Sequence, residues 1–318
     1  MLRYVFRRAI TSFVLLVLSS IVIFVVLRVI PGDPTITKLG GSIRGVNPRA
    51  LQTIRHQLGL DQSLPEQYIH WIGGVFHGDF GTSYFSQFPV TTLVSQRIGA
   101  TVELAVLAMV IGLLIAIPAA TLGAIWHNRY FDGILSGFAA IGIATPAFLL
   151  GIFLIMIFGK YLPTQGYVSF SHHPVASLKS TLLPAITLGI AVAAPILRVL
   201  RSSIVDVESA PFIRTAQGKG LLRRQVVTRH LLPNAALPTL TLIGVIVGSL
   251  LGGAVVVEYV YARPGLGSLM VDSVFQRDYG VLQTLVLLAA AAFITTSFVV
   301  DVLYGVLDPR LRATRNAH

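Results

Sequence analysis

Long apolar runs separated by short charged segments dominate the pattern of this chain. Six runs each approach the roughly 20 residues that an α-helix needs to cross a hydrocarbon layer about 30 Å thick. They are Ala9–Leu27, Leu104–Trp126, Gly133–Gly159, Ser180–Leu197, Leu231–Val257 and Tyr279–Val300. With their interfacial ends, these runs predict membrane-spanning helices at 9–29, about 101–126, 133–159, 180–199, 231–258 and 279–303. The pattern therefore predicts an all-α integral membrane protein with six spans.

Two other segments have weaker patterns. The uncharged run Tyr161–Leu178 contains prolines, a glutamine and two histidines, so we interpret it as a loop. Residues 30–100 separate the first two spans, and within them Pro48–Leu58 and Leu64–Phe76 have helical apolar spacing. This part of the chain is expected to be a small helical insertion, too short to be an enzyme domain.

Basic residues in the short segments set the predicted orientation, because cytoplasmic loops carry the excess of Lys and Arg. With the N-terminus inside, 14 of the 24 basic residues are cytoplasmic: Arg3, Arg7, Arg8, Arg129, Arg198, Arg201, Arg214, Lys219, Arg223, Arg224, Arg229, Arg310, Arg312 and Arg315. The short outer loops hold four, which are Lys160, Lys179, Arg263 and Arg277. We therefore expect residues 1–8 and 307–318 in the cytoplasm and the insertion outside.

The composition excludes several classes of protein. Hydrophobic residues make up 54% of the 318 residues and charged residues only 12%, about half of the roughly 25% charge found in soluble domains. The absence of cysteine excludes disulfide frameworks, thiolate metal sites and a cysteine nucleophile. The net charge of +11 accompanies arginines beside the membrane, so it indicates contact with lipid and not a nucleic-acid partner.

Ionisable residues are absent from the middle of every predicted span. Glu103, Glu258 and Asp301 lie at the ends of runs, where water at the interface can hydrate them, so we interpret them as interfacial anchors. A second interpretation is that Glu103 or Glu258 receives the cationic end of a substrate in a translocation path. The chain also lacks metalloprotease, serine-hydrolase and phosphate-loop signatures, so we expect no catalytic residue, no metal and no ATP hydrolysis by this chain.

Small residues repeat at helical spacing on two spans. They are Gly112, Ala116 and Ala120 on the second span and Gly244, Gly248 and Gly252 on the fifth. Such faces let helix backbones approach closely, so we interpret them as packing surfaces within the bundle or against a second membrane subunit. Lining of a pathway is the alternative.

The segment 200–230, predicted to be cytoplasmic, has helical signals of its own. Pro211 can start a short helix, and Gly220 can end it in a left-handed conformation. A second helix from about Leu222 would run directly into the fifth span, so a force on the short helix would reach the membrane. A solvated basic loop is the competing interpretation.

This segment resembles the "EAA" loop of binding-protein-dependent ABC importer permeases. The matching positions are Thr215, Ala216, Gly220, Leu232 and Pro233. Two positions depart from the general motif, which has Glu at Arg214 and Ile at His230. The form Arg-Thr-Ala-x-x-Lys-Gly is typical of the dipeptide/oligopeptide permease branch, so the departures favour that branch.

Other segments are similar to the same branch, in the order in which the family has them. They include Pro31-Gly32-Asp33-Pro34, Gly78-Asp79-Phe80-Gly81, Arg263-Pro264-Gly265-Leu266-Gly267 and Asp308-Pro309-Arg310. The resemblance covers about residues 1–312. It implies the B-type permease subunit of a type I ABC importer, in the cytoplasmic membrane of a prokaryote.

The resemblance also implies partners. They are a homologous C-type permease subunit, two ABC ATPase domains that bind ATP and Mg, and an extracytoplasmic substrate-binding protein. The short helix around Arg214–Gly220 would be the coupling helix, docked in a groove of one ATPase. We further infer that this docking uses charge pairs from Lys219, Arg223 and Arg224 and close approach at Ala216 and Gly220.

The substrate implied first is a dipeptide or short oligopeptide. Closely similar permeases carry nickel chelates, glutathione or haem, so these are alternatives within the same class. An ATPase-independent channel or secondary transporter is the alternative from another class, which the absence of mid-span charge disfavours.

Overall fold

The computed structural model describes residues 2–29, 35, 52–53, 55–56, 60–126, 129–171 and 173–307. The described residues confirm the all-α prediction, with one isolated bridge between Thr82 and Pro89. The helices are α1 (Leu2–Val29), α2 (Leu64–Phe76), α3 (Val90–Trp126), α4 (Arg129–Ala144), α5 (Ala147–Phe158), α6 (Pro174–Glu208), α7 (Pro211–Gly218), α8 (Arg223–Val226), α9 (Leu232–Val260), α10 (Leu266–Phe275) and α11 (Tyr279–Leu307). The predicted helix Pro48–Leu58 and the motifs Pro31–Pro34 and Asp308–Arg310 lie outside the continuously described ranges.

Five helical segments are long and apolar enough to span a membrane, and the pair α4–α5 can form a sixth span. That pair bends by 108° at Thr145 and Pro146, so the predicted span 133–159 is divided into two helices. Pro146 has no N–H for the helical hydrogen bond, and its ring pushes Thr145 away from helical geometry. Four other prolines lie inside continuous helices, at Pro118, Pro184, Pro195 and Pro238.

Several helices extend beyond the apolar runs from which they were predicted. α6 begins at Pro174 and ends at Glu208, although the sequence indicated a span at 180–199 and a loop over Tyr161–Leu178. Proline is favoured in the first turn of a helix, where no N–H is needed, so the loop gives way to helix at Pro174.

α6 lies at the centre of the bundle. It packs most extensively on α3 and also contacts α4, α5 and α9. Every residue from Ser180 to Leu197 is buried or partly buried. At one end of α6, Arg201 makes a two-pronged ion pair with Asp132 at the start of α4, with both N–O distances 3.1 Å.

Small residues make the closest contacts between helices. A Cβ on Gly112 of α3 would lie 2.5 Å from Val192 of α6, and Ala116 and Ala120 are buried on the same face of α3. On α9, a Cβ at Gly244 would overlap Val300 of α11, and one at Gly248 would lie 2.6 Å from Phe293. Gly252 differs from these: among the described residues, a Cβ at this position would meet no atom within 4 Å.

α1 lies at the edge of the bundle and packs along α11. Near the start of α1, Arg8 forms an ion pair with Asp301, and the Tyr4 hydroxyl donates to the Asp301 carbonyl at 3.2 Å. Asp301 is therefore held by α1, in addition to lying at the end of a predicted span.

The insertion attaches to the far end of α1 through aromatic packing. Tyr68 and Trp71 of α2 lie against Phe24, with ring centroids 5.4 and 6.1 Å apart, and Arg28 stacks 4.2 Å above the same ring. At the start of α2, Glu66 accepts the Ser63 N–H at 3.0 Å, and the Ser63 hydroxyl lowers the pKa of this exposed carboxyl. We call this end of the bundle the insertion end and the opposite end, which carries α7 and α8, the loop end.

A buried carboxylate makes the second attachment. Asp278, in the turn between α10 and α11, accepts the Ser83 hydroxyl at 2.5 Å and the Tyr84 N–H at 3.0 Å. Its side chain is almost fully buried. The turn that follows α2 is therefore fixed directly to the start of α11.

The two glycines on α9 give a test of the packing. Gly244→Ala should reduce the free energy of unfolding by about 1–3 kcal/mol because the new methyl group overlaps Val300. Gly252→Ala is the matched control, and its better helix propensity should stabilise the helix by up to about 1 kcal/mol. Thermal unfolding of the purified permease in detergent measures both, and equal shifts would contradict the assigned α9–α11 contact.

Candidate functional site

The loop end carries a short helix whose boundaries follow from two residues. Pro211 occupies the first turn of α7, and Gly220 has a φ of 77° just beyond its end. This left-handed conformation suits glycine. It turns the chain so that the N–H of Leu221 points back to the Ala216 carbonyl at 3.4 Å. The chain then enters α8 at Arg223.

α7 has an inner and an outer face. Ile213 and Ala216 are buried against Val226, Val227 and Leu231. Ala216 therefore faces the bundle, and the prediction that it permits close approach of a partner is wrong for this residue. The outer face exposes Phe212, Arg214, Thr215 and Lys219.

Arg223 also differs from the prediction. Its guanidinium forms an ion pair with Glu208 at 2.6 Å, and it donates to the carbonyl of Ala124 at 3.0 and 3.2 Å. These partners belong to the same chain, so we withdraw the inference that Arg223 pairs with an acid of another subunit. Arg224 is exposed.

A π turn at Val227–Leu231 connects α8 to α9. The cause lies two residues further on: the ring of Pro233 would clash with the carbonyl of Arg229 in a regular α-helix. The wider turn instead pairs the Leu232 N–H with the Val227 carbonyl. The carbonyl of His230 accepts the side-chain amide of Asn234 at 2.7 Å. Pro233, predicted from the family motif, thus shapes the entry into α9.

At the insertion end, a buried carboxylate holds the turn between α9 and α10. Glu258 is fully buried and accepts the Thr101 hydroxyl at 2.6 Å and the N–H groups of Gly267 and Ser268 at 2.8 and 3.1 Å. A Cβ on Gly265 would overlap its carboxylate. The interpretation of Glu258 as a hydrated interfacial anchor is therefore wrong, and its hydrogen bonds occupy it structurally.

Arg263 lies beside this carboxylate and is only 1% exposed. It donates to the Ala100 carbonyl at 3.1 and 3.2 Å and to the Thr181 hydroxyl at 3.0 Å, so it joins α3 to α6. The Tyr167 ring covers it at 4.6 Å. Sequence reasoning assigned Arg263 to an outer loop and missed this role, although its position before Pro264 and Gly265 indicated a constrained turn.

Glu103 completes the group, which we call the Arg263 cluster (Thr101, Glu103, Tyr167, Glu258 and Arg263). It lies 3.8 Å from Arg263 and accepts the Tyr167 hydroxyl at 2.8 Å and the Ser177 hydroxyl at 3.2 Å. Burial, followed by the hydrogen bond to Glu103, raises the pKa of Tyr167. The Glu103 side chain is 28% exposed. Of the two glutamates considered for a substrate path, Glu103 is therefore the one that remains accessible to solvent.

The exposed face of α9 differs from that of α3. On α9 one set of exposed residues recurs every three or four positions: Asn234, Pro238, Thr241, Val245, Ser249, Gly252, Val256 and Tyr259. Pro233 and Val247 are exposed beside this set. On α3, the exposed residues between 102 and 122 are all apolar, namely Val102, Val106, Val110, Leu114, Ile117, Pro118 and Leu122. The Asn234 amide and the Ser249 hydroxyl each donate to a nearby backbone carbonyl, at 2.7 and 2.9 Å. Their remaining hydrogen-bonding capacity is poorly solvated by hydrocarbon, so the α9 face suits water or another protein better than the wholly apolar α3 face does.

The fold is that of a multi-pass membrane protein, with five or six candidate spans among the described residues. Residues 108–313 match the family described as "Binding-protein-dependent transport system inner membrane component". Residues 1–105 match the N-terminal part of a binding-protein-dependent transport system membrane component. The chain therefore belongs to this family and is an ABC importer permease subunit with the type I fold, which confirms the resemblance seen in its sequence.

Relatives match over nearly the whole length. The glutathione transport system permease protein GsiC of Escherichia coli (strain K12) is 40% identical over 315 residues, which cover 98% of this chain and 99% of that protein. The proteins of the same name from Shigella flexneri serotype 5b (strain 8401) and Salmonella choleraesuis (strain SC-B67) are also 40% identical, with the same coverage.

The Arg263 cluster predicts a large effect of one substitution. Glu258→Ala removes the acceptor of three donors and should lower the free energy of unfolding by about 2–5 kcal/mol. Asp272→Ala is the matched control, because this carboxylate on α10 is 49% exposed and its pair with Arg97 is long at 3.8 Å. Thermal unfolding of the purified permease measures the difference, and equal effects of the two variants would argue against the structural role of Glu258.

Proposed function

We propose that this chain is one of two permease subunits of an ATP-driven, binding-protein-dependent importer in the cytoplasmic membrane of a prokaryote. The insertion end faces outward and both termini face the cytoplasm, as the distribution of basic residues favours. The partners are a C-type permease subunit, two ABC ATPase domains that bind ATP and Mg, and an extracytoplasmic substrate-binding protein. This chain supplies half of the translocation path and hydrolyses no ATP itself.

One observation carries the coupling part of this proposal. α7 is bound to the bundle through its buried inner face, while Phe212, Arg214 and Lys219 are exposed on its outer face. A helix fixed on one side and free on the other is suited to receive an ATPase and to pass its movement to the spans. ATP binding changes the orientation of the bundle only if the ATPases contact its two states with different free energies.

The exposed face of α9 is the part of the path that we assign to this chain. Thr241 and Ser249 on this face carry hydroxyl groups, and Gly252 leaves open space beside the helix. The Ser249 hydroxyl donates to the Ile246 carbonyl at 2.9 Å, and a hydrated path between two permease subunits would solvate the lone pairs of both hydroxyls better than lipid would. This face carries no charged side chain from Thr241 to Val256. It would therefore contact the backbone and side chains of a short peptide through hydroxyl groups and apolar surface.

For the substrate, we propose a short peptide and place glutathione first. The sequence resemblance pointed to dipeptides or oligopeptides in general. The relatives that match over the whole chain are named for glutathione transport, and glutathione is itself a short peptide. Dipeptides are the second candidate.

Uptake by a strain that lacks this gene tests the substrate. We expect loss of uptake of radiolabelled glutathione and its recovery with the wild-type gene. Gly220→Trp, which forces a bulky residue into the left-handed position, is the control that should insert without restoring uptake. Loss of labelled dialanine uptake with unchanged glutathione uptake would favour the dipeptide, and unchanged uptake of both would overturn the peptide assignment.

Cysteine labelling tests the path, since the natural sequence contains no cysteine. In the assembled importer, Thr241→Cys and Ser249→Cys should react with a water-soluble thiol reagent, because the thiolate forms only where water reaches it. Val106→Cys and Val110→Cys on the apolar face of α3 are matched controls that should react at least about tenfold more slowly. Equal rates on the two helices would contradict the path assigned to α9.

A further inference from the structure

One guanidinium at the loop end connects three helices. Arg223, the first residue of α8, forms an ion pair with Glu208, the last residue of α6, and donates twice to the carbonyl of Ala124 in the last turn of α3. We call this arrangement the Arg223 clamp. Its charged side chains are only 29% and 25% exposed.

The clamp uses a carbonyl that the helix itself leaves unpaired. The last four carbonyl groups of an α-helix have no partner within the helix, and they carry its partial negative charge. A guanidinium at this position satisfies the carbonyl of Ala124 and favours the helix dipole. Its planar fork also holds the Glu208 carboxylate, which a flexible ammonium group does less well.

Apolar contacts surround the clamp. Ile213 and Ala216 of α7 are buried in a cluster that includes Ala124 and Ile125 of α3 and Val207 of α6. α7 itself packs on α8, the helix that Arg223 begins, and the ends of α3 and α6 border the same apolar cluster. The clamp and the cluster therefore join α7, through α8, to α3 and α6.

The connection from α7 to α9 has a different character. It passes through the π turn Val227–Leu231. A π turn interrupts the regular hydrogen-bond ladder and is one of the features at which helices kink. The backbone route from α7 into α9 therefore crosses an irregular turn, whereas the clamp joins α8 directly to the ends of α3 and α6.

We infer that Arg223 is a positioning residue that makes α7 move as one body with α3 and α6, so that movement of the ATPase reaches the bundle centre directly. This inference rests on the proposed function of α7 as the coupling helix. It adds a route through the side chain of Arg223 to the route along the backbone into α9.

A distance measurement tests the clamp without reference to transport. Spin labels at Gln217→Cys on α7 and Leu122→Cys on α3 report their separation in the assembled importer in liposomes. Arg223→Gln should broaden the distance distribution, and Arg223→Lys should broaden it less, because lysine keeps the charge but not the fork. Arg198→Gln, which removes an exposed arginine from α6, should leave it unchanged. An unchanged distribution in Arg223→Gln would overturn the inference.

A second readout in the same liposomes separates coupling from assembly. Arg223→Gln should bind its ATPases within about twofold of the wild type, whereas glutathione uptake per ATP hydrolysed should fall about tenfold, as expected for a lost coupling free energy of ordinary size. A proportional loss of ATPase binding and uptake would indicate a purely structural role and overturn the inference. If the wild type takes up no glutathione but Arg223→Gln still broadens the distance distribution, the proposed substrate is wrong and the inference about the clamp is supported.

Discussion

The close packing of α3 on α6 is the contact on which the rest of the structure depends. Gly112 and Gly189 leave no room for a Cβ at the crossing, where Val192 and Ile111 fill the space. This contact encloses α6, whose residues from Ser180 to Leu197 are all at least partly buried. Because helices in lipid gain little from hydrophobic association, such dense packing is what holds α6 at the centre and places the other spans around it.

Charged groups then fix the two ends of this central pair. At the insertion end, Arg263 ties the Ala100 carbonyl of α3 to Thr181 of α6. At the loop end, Arg223 ties the Ala124 carbonyl of α3 to Glu208 of α6. Arg223 satisfies a carbonyl in the last turn of α3 that has no partner within the helix, whereas Arg263 donates to a carbonyl inside α3, at Ala100. These charged groups thus lie toward the helix ends, while polar groups such as the Thr187 hydroxyl, 2.8 Å from the Tyr261 hydroxyl, lie inside the bundle without charge.

Two surfaces are left by this arrangement, and both suit a transporter. The outer face of α7 is exposed at the loop end, and the exposed face of α9 carries hydroxyl groups along a span. In the importer that we propose, the first would receive a cytoplasmic ATPase and the second would line a hydrated path. The family and the full-length relatives fix the class as an importer permease.

Much of the fold follows from local sequence. Apolar runs predict spans because uncharged segments of this length match the thickness of the hydrocarbon layer. Pro211 and Gly220 set the ends of α7 because the backbone preferences of proline and glycine do not depend on tertiary structure. The helix α2 over Leu64–Phe76 also agrees with its apolar spacing. The family was identifiable because its motifs lie in order along the chain.

Only the tertiary structure decided which polar and charged side chains are buried in contacts within this chain. Glu258 reads as an interfacial carboxylate and Arg263 as a loop arginine, but both are buried because α10 folds back onto α3 and α9. Ala216 and Arg223 read as partner contacts, but the end of α3 lies beneath them. The hydrophobic pattern shows how apolar a segment is, but it does not show which distant segment packs against it. In a helix bundle, that contact depends on packing between helices that are far apart in sequence.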